Sequence, residues 1–327
     1  MDKINITQSK KGYLLRISAS DSCNFDCFFC HPNINKHVNT LSDDDIINII
    51  KSTNNLYKLK TIHFTGGEPL LRDGLSYIIA ECKKFLDDTI EIAITTNGAL
   101  LENKIEDLVT AGLNRINISL HTLNQELFEI ITNTKVSVSK IKDSISLAKK
   151  YGLGIKVNSI VIKGFNDNNI EEIASYCFDL GIIPRFLELG LYGPVSQWFS
   201  EKNFISHDEI LEIMQKKFGP FKPDNIYRGN GPSKYYINEK NNVFGIVNNQ
   251  SNKLCVGCDR IRVSSDGMIR FCTFQPIDVR PYLKHPTSLT EGISSLENLM
   301  VNRGENYVGK RLHDIDYYFR WNHYGNN

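Results

Sequence analysis

The sequence predicts an α/β fold, a partial (βα)6 TIM-like barrel over residues 1–190 followed by a smaller α+β domain over residues 191–327. Three observations carry this reading. From Tyr13 to Glu188, short β-rich runs alternate strictly with amphipathic helical patterns, and such alternation requires a parallel sheet with right-handed crossovers. Polar residues of functional type follow nearly every predicted strand, where a barrel of this kind places its sites. After Gly190 the alternation stops.

The predicted strands are Tyr13–Ile17, Thr61–Thr65, Glu91–Thr95, Arg115–Ser119, Ile155–Ile162 and Ile183–Leu187, each rich in β-branched residues or alternating apolar with polar. Between them, helical periodicity covers Asp43–Ser52, Leu75–Phe85, Leu101–Ala111, Val138–Tyr151 and Ile170–Leu180. Ser42, with Asp45 three residues on, predicts an N-cap for the first helix. Beyond Gly190, Leu191–Phe204 reads as a linker and Ser206–Lys217 as a helix capped by Ser206. Pro232–Asn249 is a predicted hairpin turning near Glu239–Asn242, and Ile261–Thr273 a second one turning at Ser265-Asp266-Gly267.

Composition narrows the function classes. The chain has 327 residues, 41% hydrophobic and 23% charged, with a net charge of +1. There is no basic field for DNA, and no apolar run of about eighteen residues that would cross a membrane. Residues 1–11 are polar, without the apolar core of a secretory signal. The expected location is the cytoplasm. Eight cysteines in such a chain belong in a reducing compartment. Cys82 and Cys177, set in helical patterns, are expected to be core residues.

The other six form two triples. Cys23-x3-Cys27-x2-Cys30 places three thiolates within eight residues just after the first strand. Electron-transfer [4Fe–4S] centres use four cysteines; three leave one iron open to a ligand. The competing reading is a zinc site completed by His31 or His37. The second triple is Cys255-x2-Cys258-x13-Cys272. It also supplies three ligands, against the alternative of a zinc ribbon that lacks a matching fourth. One β-α unit after the first triple stands Gly66-Gly67-Glu68-Pro69. There a glycine pair admits close backbone approach, and a carboxylate can meet an ammonium group.

Together these motifs resemble the radical S-adenosylmethionine (SAM) superfamily, and nearly the whole chain resembles the molybdenum-cofactor GTP 3′,8-cyclase (MoaA) family. The resemblance is carried by Leu15–Ser18, Thr65–Leu71, Thr95–Gly98, Gly112–Leu120, Ile155–Asn158, Gly164–Asp167, Arg185–Glu188, Gly229–Pro232 and Cys258–Arg262. It implies two [4Fe–4S] clusters and SAM as cofactors, with Cys23, Cys27 and Cys30 catalytic and Cys255, Cys258 and Cys272 holding an auxiliary cluster in the C-terminal domain. One electron from the first cluster would cleave SAM to methionine and a 5′-deoxyadenosyl radical. The radical would then abstract a ribose hydrogen so that C3′ bonds to C8. Gly66, Gly67 and Glu68 are expected at the SAM ammonium, Phe29 against its adenine, and Ser119 and Asn158 nearby. Arg16, His63, Thr95, Lys156, Arg185, Arg260 and Arg262 are expected on the substrate, where arginine forks suit phosphate. The implied partners are a nucleotide or other small molecule, a peptide among the alternatives, and a reductant such as flavodoxin or ferredoxin, with neither DNA nor a membrane.

Several positions depart from the family pattern. Thr61 and His63 stand where Lys-x-Arg is usual, His121 where an Asp is, Gly190 where a Met is, and Phe29 where a Tyr is. The chain ends Tyr324-Gly325-Asn326-Asn327 rather than in Gly-Gly. These changes predict a ligand less highly charged than GTP, and keep open a relative turned to another nucleotide, a peptide or a natural-product precursor. A non-catalytic iron–sulfur or zinc protein is the alternative of another class; Gly66–Pro69 and the arginines speak against it.

Overall fold

The computed structural model describes residues 12–30, 41–190, 199–226, 228–229, 231–248, 260–270, 277–283 and 289–294. The six predicted barrel strands are present as β1 (Tyr13–Ser20), β2 (Leu59–Gly66), β3 (Glu91–Thr96), β4 (Arg115–Ser119), β5 (Gly154–Val161) and β6 (Ile183–Glu188), paired in sequence order and all parallel. The helices between them are α1 (Asp43–Leu56), α2 (Leu75–Lys83), α3 (Ile105–Thr110), α4 (Gln125–Thr132), α5 (Val138–Lys150) and α6 (Ile170–Asp179). Ser42 caps α1 in a box with Asp45, as its sequence predicts.

Two differences from expectation have local causes. The predicted helix Leu101–Ala111 breaks at Lys104 (φ −127°, ψ −11°) into a 3-10 turn and α3. The β4–β5 connection carries an additional short helix, α4, begun by the Asn124 side chain accepting from Leu127 N–H and ended by Asn133 in the left-handed region (φ 47°).

Past Gly190, α7 (His207–Phe218) is capped by Ser206 in a box with Glu209. The first predicted hairpin is β8 (Ser233–Asn238) and β9 (Val243–Val247), preceded by β7 (Phe221–Pro223). The second is β10 (Arg260–Val263) and β11 (Met268–Arg270), followed by β12 (Ile277–Asp278). Both hairpins join the barrel sheet, whose order is β12-β11-β10-β1-β2-β3-β4-β5-β6-β9-β8-β7. Because β10 runs parallel to β1 and β9 parallel to β6, the parallel wall extends at both edges.

The period-two alternation of the strands sorts this wall into two faces. Leu15, Ile17, Ile62, Phe64, Ile92, Ile94, Ile116, Ile118, Val157, Phe186, Ile246 and Ile261 are fully buried toward the helices, each worth roughly 1.5–3 kcal/mol of apolar burial. Cys82 and Cys177 belong to this core, as expected. The other face, lined by Arg16, His63, Thr95, Asn117, Lys156, Asn158, Arg185 and Arg262, is polar and encloses a lumen. No helix among the described residues is long and apolar enough to cross a membrane.

Candidate active site

The first cysteine triple occupies the loop at the C-terminal end of β1, and α4 is its platform. Asp26 N–H donates to the Thr132 carbonyl (3.0 Å) and Phe28 N–H to that of Ile131 (3.1 Å). These are two of the carbonyls that a helix C-terminus leaves without intrahelical partners. Asn133 Nδ2 donates to Asp26 Oδ2 (3.1 Å), and Phe25 packs edge-on against Phe128. Cys23 and Cys27 are half-buried, Cys30 is exposed, and none is in a disulfide. Burial raises all three thiols; Cys30, pushed up to about 11, also feels Cys23 and Asp26, and Cys27 feels both of its partners. Three mutually repelling, partly desolvated thiols give up their protons together only to a cationic centre bound among them. Cys23 Sγ further accepts from Phe25 N–H (3.4 Å) and from Asn97 Nδ2 (3.9 Å), the kind of contact that tunes cluster sulfurs. The donor set therefore fits an open [4Fe–4S] cluster. His31 and His37, the alternative zinc ligands, lie outside the described residues.

The Gly66–Pro69 turn is locked onto the same loop. Gly67 N–H donates to Ser20 O (2.7 Å) and Glu68 N–H to Ser22 O (2.8 Å). A Cβ on Gly66 would lie 2.1 Å from Ser20 O, and one on Gly67 2.2 Å from Ser22 O. The glycines are thus required by close contact with the cysteine loop, where the sequence suggested approach to a ligand, although their backbone still opens on the mouth. Glu68 corrects its expected role. Its carboxylate is shut away, 1% exposed, and accepts from Leu70 N–H (3.0 Å), Thr96 Oγ1 (2.6 Å) and Asn97 N–H (2.8 Å). Burial raises its carboxyl, and these bonds work against that rise. Glu68 holds Asn97 in place beside Cys23 and does not itself face the mouth.

On the far side of the cysteine loop, Phe29 meets His121 edge-on at 4.9 Å, and Phe28 packs against Phe165 and Phe199, both at 5.5 Å. His121 Nδ1 accepts from Ile160 N–H (3.1 Å), which leaves the ring proton on Nε2. Burial lowers its pKa to about 4, so the ring is neutral. Ser119 ends β4 in register with Asn158, which accepts from Arg185 Nε (2.9 Å).

Below the mouth lies the charged lumen. Arg115, absent from the sequence-derived site, grips Glu91 through two nitrogens (2.7 and 2.9 Å) and donates to Asn117 Oδ1 (2.6 Å). Burial raises the Glu91 carboxyl, but the bonds and charge of Arg115 outweigh it and hold the group below its usual range. With its oxygen turned to Arg115, Asn117 points Nδ2 at His63 Nε2 (3.1 Å) and Thr95 Oγ1 (3.0 Å); His63 Nε2 also lies 2.8 Å from Thr95 Oγ1. This arrangement makes Nε2 an acceptor. Burial first, then Arg16, Arg115, Arg185 and Lys156, keeps His63 neutral. Lys156 donates to the Arg228 carbonyl and to Tyr235 Oη (3.1 Å). Burial, aided by Arg115 and Arg185, brings its ammonium down to about 8. Arg16 reaches Thr65 Oγ1 (3.3 Å) and is in register with Arg262, one strand over; Arg260 is on the same face of β10. The structure therefore brings together Arg16, His63, Thr95, Lys156, Arg185, Arg260 and Arg262 on one lumen. Cys255, Cys258 and Cys272 lie outside the described residues. Sequence reasoning missed Glu91, Arg115, Asn117 and Tyr235, and gave Asn97, within the polar run after β3, no specific role. The period-two face Arg115, Asn117, Ser119 was the available signal for two of them.

Comparison with known proteins agrees with this geometry. Residues 17–177 match the Radical SAM superfamily and residues 182–308 match Molybdenum Cofactor Synthesis C. The GTP 3′,8-cyclase of Aquifex aeolicus is 37% identical over 270 residues, 80% of this chain and 82% of that protein. The GTP 3′,8-cyclase of Staphylococcus carnosus is 33% identical over 91% of this chain and 90% of its own length. Among solved structures, Streptococcus suis SuiB bound to S-adenosylmethionine shares the fold with a TM-score of 0.59 at 15% identity, over 87% of this chain and 66% of that one, so the chain spans just under two thirds of SuiB. Methylornithine synthase shares it with a TM-score of 0.52 at 17% identity, over 65% of this chain and 64% of that one. The chain belongs to the GTP 3′,8-cyclase family of radical SAM enzymes, whose cofactors are SAM and two [4Fe–4S] clusters.

Proposed function

We propose that this chain is itself a GTP 3′,8-cyclase, with the nucleotide held in the lumen beneath the cysteine loop. One observation carries the reading. Five cationic side chains, Arg16, Lys156, Arg185, Arg260 and Arg262, share one polar lumen, in which Arg115 holds Glu91. A cluster of cations that includes four arginine forks suits a polyphosphate. Cys23, Cys27 and Cys30 would hold the first cluster, and Cys255, Cys258 and Cys272 the auxiliary one, in a C-terminal unit over residues 191–327. When bound, the first cluster and SAM supply one-electron cleavage of SAM and hence a radical for hydrogen abstraction. The protein's own residues do the rest. Phe28, Phe165 and Phe199 exclude water beside the cysteine loop, Phe29 and His121 shape the neighbouring wall, and the backbone of Gly66 and Gly67 offers hydrogen-bonding groups at the mouth. The reductant would be a flavodoxin or ferredoxin, and the location cytoplasmic.

A second reading, a nucleotide of lower charge, is favoured by His63, a neutral imidazole set among four cations. Incubating reconstituted protein with SAM, reductant and either GTP or GDP, without oxygen, separates the two. The main reading expects a 3′,8-cyclised nucleotide from GTP at a rate well above that from GDP. Turnover of GDP alone would transfer the assignment to the second reading.

A further inference from the structure

Tyr235 comes from a strand that is not part of the parallel wall. β8 pairs with the outer side of β9, and Tyr235 is opposite Gly245. Yet its hydroxyl meets Lys156 on β5 and Arg185 on β6. Neighbouring strands are about 4.8 Å apart, so a side chain from β8 reaches β6 only by lying flat across β9. It can do so because β9 presents no side chain at that point. A Cβ on Gly245 would stand 2.9 Å from Tyr235 Cε1 and 3.1 Å from Arg185 Cγ. The backbone of Gly245 is unstrained, so it is space that requires glycine here. The ring also lies under the Lys156 ammonium, 5.2 Å from its centroid.

We propose that Tyr235 is a positioning residue for the anionic part of the substrate: laid across Gly245, it gives Lys156 and Arg185 a common acceptor that fixes their spacing in the lumen. This rests on the reading that Lys156 and Arg185 bind substrate. Two cations side by side in a poorly solvated lumen repel each other, as the effect of Arg185 on Lys156 shows. The Tyr235 oxygen offsets that repulsion without cancelling either charge. Lys156, bonded to Arg228 O and Tyr235 Oη, keeps a third N–H for a ligand.

The test measures anaerobic binding of inorganic triphosphate, GTP, guanosine and SAM to the reconstituted holoenzyme and to its Tyr235→Phe and Gly245→Ala variants. Tyr235→Phe keeps the ring and loses only the shared acceptor. It should weaken triphosphate and GTP about tenfold while leaving guanosine, SAM and the melting temperature unchanged. Gly245→Ala, which displaces the ring, should show the same charge-dependent pattern. Equal loss for every ligand would mean a merely structural role, and unchanged triphosphate affinity, or no triphosphate binding by the unmodified protein, would overturn the proposal. If the unmodified enzyme does not turn over GTP but triphosphate affinity still falls in Tyr235→Phe, the substrate reading fails and the positioning role stands. Normal GTP cyclisation with unchanged affinity in the variant gives the reverse.

Discussion

The mouth of the barrel and its lumen are built by opposite means. At the mouth, backbone groups hold the shape: α4 carbonyls take the cysteine loop, Ser20 and Ser22 carbonyls take the Gly-Gly-Glu turn, and buried Glu68 fastens Asn97. In the lumen, charged and polar side chains from separate strands hold one another, from Glu91 through Arg115 and Asn117 to His63, and from Tyr235 to Lys156 and Arg185. Backbone-defined sites tolerate little change in shape, whereas side-chain networks can be altered one member at a time. The departures from the family pattern follow the means of construction. Cys23, Cys27, Cys30 and Gly66–Pro69, held by backbone groups, are intact; the departures fall on side chains, Thr61 and His63 in the lumen and Phe29 and His121 on the wall beside the cysteine loop.

If the mouth is the radical source and the lumen only the substrate holder, the two should fail separately. The largest effect is expected from Cys27→Ala, which should abolish 5′-deoxyadenosine formation while triphosphate binding in the lumen persists. Residual 5′-deoxyadenosine above background would show that the first triple is not the source.

Glu68→Ala should come next. Leu70 N–H, Thr96 Oγ1 and Asn97 N–H would lose a shared buried acceptor, at a cost of about 2–4 kcal/mol for partly resolvated donors. The melting temperature should fall and SAM affinity with it, with the iron content of reconstituted protein retained. A variant of unchanged stability would refute the scaffolding role assigned to Glu68.

A smaller effect should appear in the lumen's response to pH. The Lys156 ammonium faces Arg115 on β4, Arg185 on β6, Glu91 on β3 and Tyr235 on β8, and titrates at about 8. A lowered pKa means that the ammonium is present below that value and lost above it. Triphosphate affinity should therefore drop about tenfold between pH 7 and 9, and Lys156→Met should flatten the profile. An unmodified protein whose affinity is level across that range would place Lys156 outside the binding surface.

How much of this was legible in the sequence follows the same division. The cysteine loop and Gly66–Pro69 could be read directly because each is a run of neighbours in the chain. The reason for the glycines could not, since Ser20 at the end of β1 and Ser22 in the loop after it press on them from a distant part of the chain. Arg16, Lys156 and Arg185 were legible through the family resemblance, which matches them position by position. Arg115 and Glu91 were not, because their pairing depends on the register of β3 against β4. Tyr235 depends on a hairpin docking at the edge of the barrel and on the gap at Gly245. Helix α4 escaped notice because its eight residues make barely two turns, too short a window for a helical pattern to stand out, yet the cysteine loop rests on it.

The central claim is that a radical formed at the mouth reaches a nucleotide held in the lumen. GTP deuterated at C3′, supplied with SAM and reductant to the reconstituted enzyme without oxygen, tests it most directly by mass spectrometry of the 5′-deoxyadenosine formed. The account predicts transfer of one deuterium together with a 3′,8-cyclised nucleotide. Unlabelled 5′-deoxyadenosine, formed equally well with GTP omitted, would contradict it.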